Sequence, residues 1–217
     1  MDEPLLPLFP LEMVLLPGEL LPLHIFEDRY KQMMTDCLAA PLSRAKGQDF
    51  GVVLLNGQEM QTVGCSAAVI RVAKKYDDGR MDILTQGRRR FEILFTDDGK
   101  PYLRGGVQFF EDEAQAPAPA DAEAGKALDL LQKVLKRIPR SYPTSEIPSK
   151  PHPQLSFQIG ALLPLDVEFK QHILTLRSEA ERLREITQAM EEMIPALDLA
   201  ARTRHKAGGN GHLRAHE

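Results

Sequence analysis

Several places in this 217-residue chain hold residue types that can do chemistry. Gly64-Cys65-Ser66-Ala67-Ala68 is a degenerate echo of the hydrolase serine motif. That motif works by lifting the serine onto a sharp strand-to-helix turn, within reach of a base. Here the flanking residues continue as strand, so Ser66 is expected to be structural. Cys37 and Cys65 have no metal or redox spacing and are expected to be free, buried thiols. His24, His152, His172 and three tail histidines are scattered, and no pair has ligand spacing on a regular element. No phosphate-cradling G-x-x-x-x-G-K-[ST] loop occurs, since Gly99-Lys100 is followed by Pro101. The expectation is a chain with no catalytic residue, no metal and no cofactor. Arg88-Arg89-Arg90 is the most basic spot and could meet phosphate. Aromatic interleaving is sparse there, with Phe91 alone beside it, and a net charge of −4 gives no general attraction for nucleic acid.

The elements that would position these residues begin with "PLLPLFPLEMVLLPGELLPLHIF", residues 4–26. Its start is acidic, it carries Glu12 and Glu19, and it holds five prolines. A spanning or signal helix tolerates none of this, so no membrane partner is expected. Extended chain fits instead. Pro17-Gly18 reads as a tight turn, and Leu21, Leu23 and Ile25 alternate with Leu20, Pro22 and His24. Pro22 marks an edge strand or a bulge. Two or three short strands are expected. Free thiols suit a reducing compartment, so the expected location is cytoplasmic.

From Asp28 to about Ala40 the spacing predicts a helix, with Tyr30, Met33, Met34, Cys37 and Leu38 as its apolar stripe. Residues 50–111 alternate with period two between turn signals at Asn56-Gly57, Asp78-Gly79, Gln86-Gly87 and Asp97-Asp98-Gly99, and the last strand has a glycine break. "EDEAQAPAPADAE" shifts composition to Ala, Pro and acid, as a linker would. Beyond it the period becomes helical. Leu128, Leu131, Leu135 and Ile138 mark one helix, Leu155 to Leu163 a short one, Asp166 caps a third, and Ser178 with Glu181 forms a capping box for a fourth. The resulting division is a β unit over 1–113, a linker over 114–124, a helical unit over 125–200 and a disordered tail over 201–217.

"LPLFPLEMVLLPGELLPLHIFEDRYKQM", "FGVVLL" and "VGCSAAVIRVAKKYDDGRMDILTQGRRRFEI", in that order, are similar to the N-terminal substrate-binding domain of the Lon protease family. The likeness extends to small bacterial proteins that consist of this domain alone. "LPLDVEFKQHILTLRSEAERLREI" resembles the helices that follow the β unit in that family. The resemblance implies an α+β fold: a PUA-like β pseudo-barrel with one inserted helix, then a C-terminal α-helical bundle. The family's ATPase and serine–lysine protease modules have no counterpart in these residues, and the chain ends soon after the helical unit. The implied function is therefore a non-catalytic module that binds unfolded or extended polypeptide segments, or a partner protein.

A groove between the β unit and the helices would take such segments, with Met13, Phe26, Met33 and Phe109 as candidate contacts. Pro17 and Gly18, then Glu27, Arg29 and Tyr30, then Gly87 and Arg90 match the family's recurrent positions and are expected to be structural. Arg90 would pair with Glu27 or another carboxylate. The alternative reading is a PUA-like nucleic-acid-binding protein using Arg88–Arg90 and the basic tail.

Overall fold

A computed structural model describes residues 5–39, 48–116, 118–138, 147–150 and 152–209, with side chains through residue 203. Six strands form one mixed sheet: β1 (Leu6–Leu11), β2 (Leu20–Ile25), β3 (Phe50–Asn56), β4 (Glu59–Lys75), β5 (Met81–Asp97) and β6 (Arg104–Phe110). Helix α1 (Asp28–Ala39) lies between β2 and β3. Four helices follow: α2 (Asp121–Leu135), α3 (Leu155–Gly160), α4 (Val167–Thr175) and α5 (Glu179–Gly209).

The strand order is β2-β5-β4-β3-β1-β6, and β6 also pairs with β5. Five strands therefore close a ring, and β2 is added outside it. β5 is long enough to serve both neighbours on one side: residues 81–86 bond to β2, and residues 90–97 bond to β6. β1 runs parallel to β3, and the other pairings are antiparallel.

Two apolar clusters occupy the two faces of the ring. Inside, Leu6, Leu8, Val53 and Phe91 pack together. Gly51 and Gly64 give the Phe91 ring its room, because a Cβ at either position would overlap it. Outside, the larger cluster joins Phe9, Phe50, Cys65 and Ala67 of the strands to Met33 and Met34 of α1, Leu131 of α2 and Ile186 of α5. Burial of these side chains is the main force holding helices on strands. The stripe expected on α1 is buried through Tyr30, Met33, Met34 and Cys37.

Local signals explain most boundaries. Gly57 and Gly79 sit at positive φ between antiparallel strands, as the Asn-Gly and Asp-Gly signals require. Asp166 accepts a hydrogen bond from Phe169 N at 2.7 Å and starts α4, and Ser178 Oγ accepts from Glu181 N at 3.3 Å to start α5.

Four expectations are corrected. Gln86-Gly87 is not a reversal: β5 runs straight through it, and Gly87 is a point of close backbone approach. The glycine break in β6 is absent too, because Gly105 and Gly106 remain in the ladder beneath Leu8 and Phe95. The linker read over 114–124 already carries the first turn of α2, where Asp121 and Glu123 suit a helix start. The tail read as disordered from residue 201 is helical through Gly209, as α5 continues past Pro195. Residues 210–217 lie outside the described residues.

Candidate functional site

The turn before β2 fixes the strand's bonding direction. Leu16-Pro17-Gly18-Glu19 closes through Glu19 N donating to Leu16 O at 3.1 Å, with Gly18 at φ 80°. This is the Pro-Gly turn that the sequence predicts. Gly87 N then donates to Glu19 O at 2.9 Å, while Gly87 O accepts from Gly18 N at 2.9 Å. Two residues thus face one, a glycine bulge. Glu19 also caps the turn, accepting from Leu16 N at 2.9 Å, and pairs with Lys170 of α4 at 2.7 Å.

Side-of-strand alternation follows from that anchor. The carbonyl of Glu19 and both backbone groups of Leu21, Leu23 and Ile25 turn toward β5. Leu20, Pro22 and His24 turn theirs the other way. Pro22 fits this parity, since it has no N–H to give the ladder. β2 pairs with β5 alone, and no described residue bonds to the outward backbone groups of Leu20, Pro22 or His24.

A second stretch lacks a neighbour, and the contrast is informative. β3 pairs with β4 only as far as Ala67, so residues 68–75 of β4 have β5 on one side only. That stretch carries Arg71, Lys74 and Lys75 and two register shifts. Charges and bulges are how an edge is protected from unwanted pairing. Past the bulge at Gly18-Glu19, β2 carries no Lys, Arg, Asp or Glu and no register shift, and Pro22 is its one edge device. At its end, Phe26 is 59% exposed and stacks beside His24, with ring centroids 6.0 Å apart. His24 Nδ1 donates to Asp82 Oδ1 at 2.6 Å, and Tyr76 donates to Asp82 Oδ2 at 2.9 Å. The His24 hydrogen bond, then that of Tyr76, holds the Asp82 carboxyl below the usual range. These contacts fix the outer face of the strand.

The other expected contacts do not gather there. Met33 is fully buried in the core and offers no surface. Met13 packs partly buried against the larger cluster. Phe109 belongs to the inner cluster, edge-on to Phe91 at 6.2 Å, with Arg89 over its ring at 4.4 Å. Among the described residues, large exposed apolar side chains also occur at Leu94 and Phe95, 62% and 57% exposed, where a register shift in β5 turns neighbouring residues outward.

Arg90 lies where β5 meets the helices. It is buried, and its guanidinium donates to the carbonyls of Leu174 and Leu176 and to Asp112 Oδ1. Arg182 of α5, also buried, grips both oxygens of Asp112 at 2.6 and 2.7 Å. It also bonds to Glu179 at 2.8 Å and to Ser156 Oγ at 3.0 Å. The Phe157 ring lies against both guanidiniums, 5.2 Å from Arg90 and 4.2 Å from Arg182. Burial disfavours the charged Asp112, but the bonds and charges of Arg182 and Arg90 prevail and hold its carboxyl below the usual range. Burial pushes Glu179 up, ahead of the opposing bonds from Ser156 and Arg182.

Of the partners expected for Arg90, Glu27 or another carboxylate, it takes another carboxylate, Asp112, while Glu27 pairs with Arg29 at 2.8 Å and both are well exposed. Tyr30 is buried against Phe9, ring centroids 4.2 Å apart. Within the arginine cluster, Arg90 is buried, while Arg88 and Arg89 are exposed and Arg89 pairs with Glu111 at 3.5 Å. A groove between α2 and α5 is lined by Glu123, Lys126, Leu183, Arg184 and Glu191, with Lys126 and Glu191 paired at 2.7 Å. Ser66 is fully buried, and its Oγ accepts from Arg89 N at 3.2 Å. Among the described residues, no group of three metal-ligating side chains converges. No helix of the described residues is long and apolar enough to cross a membrane.

Ring, appended strand and arginine-welded helices define a β unit locked to helices and bearing a partly open edge. The chain belongs to the family of the ATP-dependent protease La (LON) substrate-binding domain, whose model matches residues 5–192. It is 30% identical over 215 residues to Lon protease of Paraburkholderia phytofirmans, covering 92% of this chain and 25% of that protein. It is 27% identical to Lon protease of Flavobacterium johnsoniae, again over 25% of that protein. The chain thus spans about a quarter of the length of these relatives. The fold is similar to a Lon N-terminal domain protein from Xanthomonas campestris, at 24% identity and TM-score 0.63, over 85% of this chain and 97% of that one. It is also similar to the N-terminal domain of Mycobacterium avium complex Lon protease, at 18% identity and TM-score 0.60, over 87% of this chain and 98% of that one.

Proposed function

We propose that this chain is a non-catalytic module that binds unfolded or extended polypeptide segments. Family membership supplies the class of ligand, and one observation carries the reading: the one-sided edge of β2, free of Lys, Arg, Asp and Glu, with exposed Phe26 at its end. An extended segment can add to such an edge by backbone bonds, while neighbouring side chains read its residues. The closed circuit of strands supports treating 1–113 as a PUA-like pseudo-barrel, and the packing of α2 on α5 supports a helical bundle over 125–200. Site residues for this function are Phe26 and the edge residues Leu20, Pro22 and His24. Met13 and Phe109 serve as packing supports.

The test is a binding titration without nucleotide. A reduced, carboxymethylated protein, which stays unfolded, should bind the chain. The same protein with its disulfides intact should not. Equal binding of both forms, or of neither, would contradict the reading.

A further inference from the structure

We infer that Pro22 is a selectivity element: it lets the β2 edge take a foreign extended segment while disfavouring a second copy of the same edge. This rests on the polypeptide-binding reading above.

The outward side of β2 presents two donors, the N–H groups of Leu20 and His24, and three acceptors, the carbonyls of Leu20, Pro22 and His24. A foreign antiparallel segment can satisfy all five. It exchanges both bonds with Leu20 and both with His24, and gives one N–H to Pro22 O. Its residue opposite Pro22 must keep its own N–H, so it cannot be proline.

Two copies of β2 cannot do the same. In the two-fold register of full overlap, Leu20 faces His24 and Pro22 faces Pro22 of the second copy. Two carbonyls then oppose each other with no donor between them. Slipping the register by two residues relieves that clash but leaves only two outward residues paired instead of three. Neutral edges are the ones that aggregate, and here one missing donor replaces the charges that guard β4.

Phe26 and His24 flank the position where the segment's side chains would lie on the outer face. Asp82 and Tyr76 hold His24 in place there. The occupant is therefore an extended segment with apolar or β-branched residues and free backbone N–H groups along one edge.

The probe is an alternating Val-Thr heptapeptide competing with labelled carboxymethylated protein. N-methylation at every second residue leaves one bonding edge intact, and binding should persist. N-methylation at every residue leaves none, and binding should fall about tenfold or more. In parallel, Pro22→Val restores an outward donor without touching the β5 ladder. It should raise self-association in sedimentation velocity well above that of the wild type.

If the unfolded probe binds but the fully methylated peptide competes as well as the parent, the edge is not the site, while the binding reading stands. If the probe does not bind at all, both fall. A Pro22→Val variant as monomeric as the wild type would overturn the role given to Pro22.

Discussion

Arg90 and Arg182, 92 residues apart, both grip Oδ1 of Asp112 at 2.6 Å. One guanidinium comes from β5 and the other from α5, so a single carboxylate joins the β ring to the helices. Each arginine is almost fully buried. The pairing is favourable only as a complete set, because a buried charge left alone is far costlier than an exposed one. Asp112→Ala should therefore cost about 3–5 kcal/mol, read as a lower denaturant midpoint. Removing the exposed Arg29–Glu27 pair with Arg29→Ala should cost about 1 kcal/mol or less. Similar losses for the two variants would contradict this ranking.

Gly87 and Gly125 should respond in opposite directions to alanine. A Cβ at Gly87 would overlap the carbonyl of Leu16 in the docked Pro17–Gly18 turn, and backbone cannot move aside cheaply. Gly87→Ala should destabilise by about 2–3 kcal/mol. Gly125 lies within α2 with nothing near its Cβ position. Gly125→Ala should stabilise by about 0.5–1 kcal/mol. Thermal unfolding of the two variants beside the wild type checks both signs.

Stability should fall at acid pH for identifiable reasons. Hydrogen bonds from Lys100 and then Tyr102 hold the Asp36 carboxyl below its ordinary value, against burial. Asp112 is also held low. A carboxyl whose pKa is lower folded than unfolded stabilises the fold above the unfolded value, near 3.9 for Asp as a rough reference. That contribution is lost as pH falls through the folded value. Glu179, pushed up by burial, acts oppositely: its contribution is present at acid pH and lost as pH rises through its raised value. The denaturant midpoint should drop below about pH 4, softened by Glu179. In Lys100→Met, Asp36 loses the largest cause of its shift, and the acid drop should become shallower. An unchanged slope would count against the assignment.

Both cysteines should be inert in the folded chain. Burial, foremost, pushes the thiols of Cys37 and Cys65 up to about 12. Thiolate is the reactive form, so neither should react with a thiol reagent near pH 8. Both should react at once in denaturant. Rapid labelling of the folded chain would show that α1 or β4 opens locally.

The sequence carried the elements better than their partners. Pro17-Gly18, Asp78-Gly79 and the cap Asp166 act within four residues of themselves, so their signals are local and survive into the fold. Gly87 was legible as special but not as what it is. A glycine that turns and a glycine that lets another segment approach look alike in a strand pattern. Arg90 matches the family pattern, yet its partners are Asp112 and the carbonyls of Leu174 and Leu176, separations that periodicity cannot bridge. Arg182 gave no signal at all, because a charged residue in a helix of charged residues reads as solvated surface. The open edge of β2 was foreshadowed by Pro22 alone. Its direction needed the Glu19–Gly87 bond.

Amide hydrogen exchange on the intact chain, with and without saturating carboxymethylated protein, tests the β2 edge most directly. Leu21, Leu23 and Ile25 should be protected in both states, because their N–H groups face β5. Leu20 and His24 should exchange quickly in the free chain and become protected when the unfolded polypeptide is bound. Unchanged exchange at Leu20 and His24 under saturation, with new protection confined to some other surface, would contradict capture at this edge.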